Sequence, residues 1–425
     1  MNPSKFYIFY AILTSLMIFL DLYFFLSWRK FVLKRNWNKL IYRIPSIISV
    51  FMVIAFFWLT TKRMNSIEPD AFLSVIYAIV SVWFLPKIGV VPLLIFKDLT
   101  LFIKNVLFKF SKNKTAQTQS SNSLANKENS LDRSAELANS SRRRMIQNTG
   151  WALAAAPFII TAKGAFDTLY DFKVHNHELF LTNLPKSLDG IKIAQISDIH
   201  AGSFTSYKPF QEAVRMTLEQ KADILTLTGD FVNFNPEELK HIYKDLGTLD
   251  AKLGVFACLG NHDHYMKVES TEEMKKWLRN LGFNLLDNES KRLIINGSPL
   301  NFSGVDNYGM NQFFGDFEKA ISPVPEGETN ILLCHDPRNW DMFINKGKKP
   351  VDLMLSGHTH GGQVSLEIAG IDLSVARIAY KQWAGLYKEG EQYLYVNRGL
   401  GTTGPPIRIG INPEITVFTL RSQVS

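Results

Sequence analysis

The chain has 425 residues, 46% of them hydrophobic and 20% charged, a balance that fills roughly two to three folded domains and excludes a disordered chain. Two cysteines, Cys258 and Cys334, exclude a disulfide scaffold and leave the redox compartment open. The formal net charge of +8 divides into +9 over residues 1–110, +4 over 111–150 and −5 over 151–425. The chemistry-bearing part is therefore mildly acidic, and no nucleic acid is expected as a stable partner.

Residues 1–110 read as an all-α transmembrane region. Phe6 to Trp28 is apolar apart from Asp21, long enough to cross a hydrocarbon core of about 30 Å. Ile44 to Thr61 is a second such run. Ala71–Leu85 and Ile88–Ile103 are separated by Pro86-Lys87, and Pro92 lies within the second of them. Charge decides between one span and two. The loop after the first span holds Arg29, Lys30, Lys34, Arg35, Lys39 and Arg43, and Lys104, Lys109, Lys112 and Lys114 come after residue 103. Basic loops stay in the cytoplasm, so one interrupted third span is expected. Asp21 receives no site role.

Residues 111–148 are polar and lack aromatic residues, which predicts a disordered linker. It ends at Arg142-Arg143-Arg144 before the apolar stretch Trp151–Phe166, so a fourth membrane helix is expected over 149–168. The arrangement resembles a twin-arginine signal anchor, and a stop-transfer cluster is the plainer alternative; both send the downstream chain outward. The protein is thus expected to be a multi-pass cell-membrane protein with an extracytoplasmic domain over 175–425. A fifth span would reverse that side.

Beyond residue 180 the pattern changes to short apolar runs that stop at polar clusters. Residues 191–197 end in Asp198-x-His200, 223–228 in Gly229-Asp230, and 255–259 in Gly260-Asn261-His262-Asp263-His264; 331–334 end in His335-Asp336 and 351–356 in Gly357-His358-Thr359-His360. Such runs are buried strands, and the segments Phe210–Lys221 and Glu269–Asn280 between them carry helical patterns. The domain is α/β. Ligands gather at the carboxyl ends of strands in such sheets, so the five clusters should converge.

Six of the nine histidines fall in these clusters. Asp198 and His200, like His358 and His360, are two apart and share a face in extended chain. Taken alone, Gly229-Asp230 is a common turn and His335 an ordinary buried polar residue. Together the carboxylates, amide and imidazoles suit borderline divalent ions such as Mn, Fe, Zn, Co or Ni. They are too many for one ion and fit two, about 3.5–4 Å apart, an arrangement that hydrolyses phosphate esters.

In this order the motifs resemble those of the calcineurin-like metallophosphoesterase family, and in particular its membrane-associated bacterial branch of YkuE-like and YaeI-like phosphodiesterases. The lead-in Asn183-Leu184-Pro185, the run Gly361-Gly362-Gln363 and residues 395–408 carry that closer likeness. The resemblance implies a four-layer α/β/β/α sandwich. It also implies one ion on Asp198, His200 and His360, a second on Asn261, His335 and His358, Asp230 as the bridge, and His262 as the catalytic residue that is not a ligand. The chain departs from the phosphoprotein phosphatases, because Gly229-Asp230 continues Phe231-Val232-Asn233 and lacks their second carboxylate and arginine. Asp263 or another group would then orient His262. His264 is open between a supporting and a substrate role, and Arg398 and Arg408 between phosphate binding and structural ion pairs.

The expected activity is hydrolysis of a phosphate ester by a hydroxide bridging two divalent ions. The lipid bilayer is the expected partner and a diester or pyrophosphate of a lipid or envelope component the expected substrate. A nucleotide phosphodiesterase or nuclease on the same site is one rival. A non-enzymatic membrane sensor that keeps the metal site is another.

Overall fold

The computed structural model describes residues 3–63, 71–115, 129–204, 206–345, 350–368 and 371–423. It divides into two compact units, one of Met1–Phe57 with Ile79–Ala162 and one of Trp58–Ala78 with Lys163–Ser425.

Four long helices open the chain: α1 (Pro3–Lys34), α2 (Leu40–Arg63), α3 (Ala71–Thr115) and α4 (Asn129–Phe166). Each contains a stretch long and apolar enough to cross a membrane: Ala11–Lys34, Leu40–Leu59, Phe72–Phe108 and Met145–Tyr170. The third differs from expectation. Pro86 and Pro92 lie inside one continuous helix, since proline removes one backbone hydrogen bond and neighbouring groups in apolar helices can compensate for it. The expected linker over 111–148 also differs where it is described. Residues 111–115 extend α3 and 129–148 open α4, where Leu131, Ala135, Glu136, Leu137 and Ala138 favour helix; residues 116–128 lie outside the described residues.

The second unit is a mixed α/β domain. In chain order its strands are β1 (Lys173–Leu181), β2 (Lys192–Ile196), β3 (Ile224–Thr228), β4 (Val255–Cys258), β5 (Asn284–Leu285), β6 (Glu289–Ile295), β7 (Ser298–Gly304), β8 (Tyr308–Gly309), β9 (Gln312–Phe313), β10 (Asn330–Leu333), β11 (Leu353–Ser356), β12 (Ser365–Ile368), β13 (Ile371–Ser374), β14 (Gly385–Glu389), β15 (Gln392–Val396) and β16 (Glu414–Ser422). One six-stranded sheet has the order β1-β16-β2-β3-β4-β5 and the other β14-β15-β11-β10-β7-β6. Two hairpins, β8–β9 and β12–β13, stand apart from them.

The apolar runs are buried on both faces, as near-continuous hydrophobic strands require, and alternate residues choose the layer. Phe256 and Cys258 of β4, Ile331 and Leu333 of β10, and Leu353 and Leu355 of β11 fill the space between the sheets. Val255 and Ala257 turn outward onto Phe210, Val214, Met274 and Leu278. Leu332, Met354, Leu394 and Val396 turn the other way, onto Phe317, Ile321, Trp340 and Ile344. The helices Tyr207–Glu219 and Val268–Asn280 cover the first sheet and fall close to the two segments with helical patterns. The result is the four-layer sandwich.

The five strands that run into the polar clusters divide between the sheets. β2, β3 and β4 are parallel neighbours in one, and β10 and β11 are parallel neighbours in the other. All five clusters therefore leave at carboxyl ends, and the close contacts among their side chains bring them to one crevice.

Candidate metal centre

Backbone conformation first sets the site. Asp198, His200, Asp230, His358 and His360 all have positive φ, between 46° and 71°, a region that costs non-glycine residues free energy and persists only when neighbours enforce it. The enforcement is visible. A Cβ on Gly357 would collide with Ser197 Oγ and Asp198 Oδ2, and one on Gly260 with Asp230 Oδ1. The glycines in these motifs let one ligand loop lie against the next.

Three overlapping groups of side chains bring donor atoms close enough to share an ion: Asp198, His200 and His360; His200, Asp230 and His262; Asp230, His335 and His358. His200 Nε2 lies 3.1 Å from His360 Nε2, and His360 Nε2 lies 3.3 Å from Asp198 Oδ1. Asp230 Oδ2 lies 3.5 Å from His200 Nε2 and 3.1 Å from His335 Nε2, so this carboxylate stands between the two groups. Its other oxygen accepts the His262 backbone N–H at 2.8 Å. Both Asp198 oxygens accept the His358 backbone N–H at 3.0 Å.

The hydrogen bonds around these side chains choose which atoms face the site. His335 Nδ1 donates to Thr228 O at 2.7 Å and His262 Nδ1 to Asn233 O at 2.8 Å, turning each Nε2 inward. Asn261 Nδ2 donates to Tyr265 Oη at 2.8 Å, which aims its Oδ1 inward. His358 Nε2 pairs with Tyr380 Oη at 2.9 Å and leaves Nδ1 as its free lone pair.

The buried acceptor Asn261 Oδ1 has no hydrogen-bond partner, and His335 Nε2 has only the Asp230 carboxylate beside it, at 3.1 Å. Buried polar atoms are rarely left so. Oxygen and imidazole lone pairs that converge unpaired fit divalent cations of the borderline kind. Protonation agrees for three of the imidazoles: burial lowers His200 to about 3 and His358 to about 4, and it lowers His360 strongly. All three are neutral and ready to bind metal at neutral pH. His335 differs, because Asp230 more than offsets its burial and raises it to about 10.

The remaining expected residues have partners of their own. Asp263 is fully buried and accepts the backbone N–H groups of Asp230, Phe231 and Gly260, each at 2.9 Å; it builds the turn, and the carbonyl of Asn233 is the group that His262 meets. His264 points to Asp306, with Nε2 2.6 Å from Oδ1, and stacks on Phe314. Arg398 pairs with Glu414. Arg408 is buried and donates to the carbonyls of Arg398, Gly399 and Gly401, holding the loop whose Gly399 abuts Asp198. Both arginines thus have protein partners in this structure.

Sequence reasoning missed four residues at this crevice. Tyr265 and Tyr380 hold Asn261 and His358. Asp336, 3.8 Å from His358 Nε2, binds Arg338, whose guanidinium lies over the Tyr380 ring. The exposed Phe234 stacks on Tyr265 beside His262. Aromatic residues spread over 146 positions from Phe234 to Tyr380 leave no local signature.

A buried Asp/His/Asn cluster at the joint edge of two sheets defines a phosphoesterase hydrolase, and apolar helices that precede it make this a membrane protein. Residues 191–362 match the family described as "Calcineurin-like phosphoesterase", and residues 4–168 match "Probable Calcineurin-like phosphoesterase, transmembrane domain". The chain is 32% identical over 291 residues to "Uncharacterized metallophosphoesterase YkuE" of Bacillus subtilis, covering 66% of this chain and 98% of the relative. It is 27% identical over 285 residues to "Phosphodiesterase YaeI" of Escherichia coli, covering 66% and 99%. A bovine "Transmembrane protein with metallophosphoesterase domain" is 29% identical over 280 residues, 62% of this chain and 60% of that one. The chain belongs to the calcineurin-like metallophosphoesterase family.

Proposed function

We propose that the protein is a membrane-anchored phosphodiesterase with two divalent ions, acting on a phosphate ester of a lipid or envelope component. The observation that carries this reading is the unpaired, buried Asn261 Oδ1 together with the His200 and His360 nitrogens that face each other at 3.1 Å and the Asp230 carboxylate that stands between His200 and His335.

Asp198, His200 and His360 would hold one ion and Asn261, His335 and His358 the other, with Asp230 shared. When bound, such a pair supplies Lewis acidity and an activated water for in-line displacement at phosphorus. The chain's own groups do the rest. Asn233 O accepts the His262 Nδ1–H and turns Nε2 to the crevice, where the imidazolium form would donate its Nε2 proton to the leaving oxygen. Asp263 locks the turns that carry Asp230 and Asn261. Phe234 and Tyr265 wall the crevice beside His262, where an apolar portion of a substrate would lie.

The catalytic domain would lie outside the cytoplasm, since the excess basic residues mark the loops after the first and third spans as cytoplasmic; a reporter fused after residue 425 tests that side. The net charge of −5 over residues 151–425 counts against a nuclease. The function is tested by Asp230→Asn in the full-length protein. Bound metal and hydrolysis of a chromogenic phosphodiester should fall together, turnover by more than about 10³-fold, on the scale at which single catalytic groups act. Unchanged turnover would falsify the reading. Release of phosphorus from fractionated membrane lipids, absent with oligonucleotides, tests the substrate class.

A further inference from the structure

The hairpin next in the chain after the last ligand run shows an apolar surface to solvent. Leu366 of β12 and Leu373 of β13 are directly opposed across the strand pair, and so share one face; they are 46% and 52% exposed. Val375 is 57% exposed, and Ile378, in the helical turn Ala376–Ala379, is 88% exposed. Two basic residues flank them. Arg377 is exposed and donates to Asp372 O, and Lys381 makes a loose 3.4 Å ion pair with Asp341. Clustered apolar side chains bordered by basic ones mark a surface that meets anionic lipid.

The hairpin also starts beside a membrane helix. Gly164, near the end of α4, lies so close to Ile409 and the Arg408 carbonyl that a Cβ would collide with them, and its own carbonyl accepts the Arg408 N–H at 3.0 Å. Ile409 in turn exchanges backbone hydrogen bonds with Gln363 and Ser365, each at 2.8 Å, and Ser365 begins β12. One backbone strand therefore separates the exit of an apolar helix from the hairpin. The 145–170 span is itself long and apolar enough to cross a bilayer.

The same segment is tied to the ligand run at three points. Ser374 Oγ donates to Gly361 O at 2.6 Å, Tyr380 Oη meets His358 Nε2 at 2.9 Å, and Thr359 Oγ1 donates to Trp383 O at 2.6 Å.

We propose that residues 365–368 and 371–381 form a bilayer-docking element: Leu366, Leu373, Val375 and Ile378 enter the interfacial layer, Arg377 and Lys381 meet anionic headgroups, and the His358–Gly362 run is thereby held against headgroup phosphoesters. The proposal deepens the reading of the substrate as a lipid phosphoester and rests on that reading for its purpose, though its test does not use activity.

Both native cysteines are buried, so an introduced cysteine can be labelled selectively. Full-length Ile378→Cys, carrying an environment-sensitive fluorophore, is placed in nanodiscs of phosphatidylglycerol and phosphatidylcholine with and without doxyl-labelled lipid. Ile294→Cys, on another exposed residue, in β6 (61% exposed), is the reference, and bound metal confirms that each variant is folded. The expected result is quenching of the label at 378 by more than half, with the label at 294 unaffected. Equal quenching at both positions overturns the proposal. So does a label at 378 that lipid does not quench but that is shielded from aqueous iodide, since a protein partner would then cover the hairpin. A second variant, Leu373→Glu with Ile378→Glu, should slow hydrolysis of a lipid-embedded phosphoester at least 10-fold and leave a soluble chromogenic diester unaffected. Equal losses on both substrates contradict the docking role, whereas inactivity of the parent protein on lipid would count against the substrate class and leave the quenching result standing.

Discussion

In the helical unit the ammonium of Lys87 lies 2.5 Å from Asp21 Oδ1, fully buried, with the ring of Trp83 at 3.9 Å and that of Phe84 at 5.2 Å. In the catalytic unit, Asp230 and Asp198 are equally buried, yet Asn261 Oδ1 has no partner and the nitrogens of His200 and His360 face each other at 3.1 Å. Both regions bury charge in an apolar setting. The first closes its charges on each other, and the second leaves lone pairs aimed at a shared point. A closed pair fixes one helix against another; an open set is completed by a cation. Burial of charged groups thus identifies neither region as a site; the unpaired buried atom beside Lys87 is a donor, Trp83 Nε1, whereas Asn261 Oδ1 is an acceptor, and that separates them.

Substitutions can break this contrast from either side. The largest effect beyond Asp230 is expected at His262, which faces the crevice without belonging to the proposed ligand set. His262→Ala should lower kcat for a chromogenic diester by about 10²–10⁴-fold while elemental analysis finds the metal content unchanged; joint loss of metal and turnover would make His262 a ligand instead. Next comes the closed pair. Lys87→Met strands the Asp21 carboxylate among apolar helices and should destabilise that unit by about 3–5 kcal/mol, read as a lower unfolding midpoint in detergent. Adding Asp21→Asn should recover most of the loss, because the cost comes from the unpaired charge; no recovery would show that the pair does more than satisfy itself. The smallest effect is expected at Tyr380. Tyr380→Phe removes the oxygen on His358 Nε2 and should weaken metal binding by about 10–100-fold, with kcat restored at saturating metal. An unaltered metal titration would leave the tyrosine without a positioning role.

The proposed ligand set was legible in the sequence because its members end five short apolar runs, three of which stop at a glycine. A strand that runs into Gly357-His358-Thr359-His360 is a local pattern, and its chemistry does not depend on the rest of the chain. The four-layer arrangement was legible only through resemblance: nothing in residues 414–422 says that β16 inserts between β1 and β2. The supports of the site were invisible for a related reason. Tyr380 reaches His358 across a 22-residue excursion, Asn233 acts on His262 through a backbone carbonyl, and Asp263 sits beside His262 in sequence but spends its carboxylate on four backbone amides. Positive φ at five ligand residues is likewise a product of packing, since aspartate and histidine do not choose that conformation by themselves. In the helices, composition located the apolar spans, whereas proline was a misleading break signal in α3, where surrounding apolar helix tolerates it.

The account stands on the claim that the open lone pairs belong to two divalent ions that the reaction requires. Metal content of the purified full-length protein, measured beside diester hydrolysis before and after chelation, tests it most directly. The account predicts about two ions per chain, loss of turnover when they are removed, and recovery on adding back a borderline divalent metal. Full turnover by protein shown to be free of metal would contradict it.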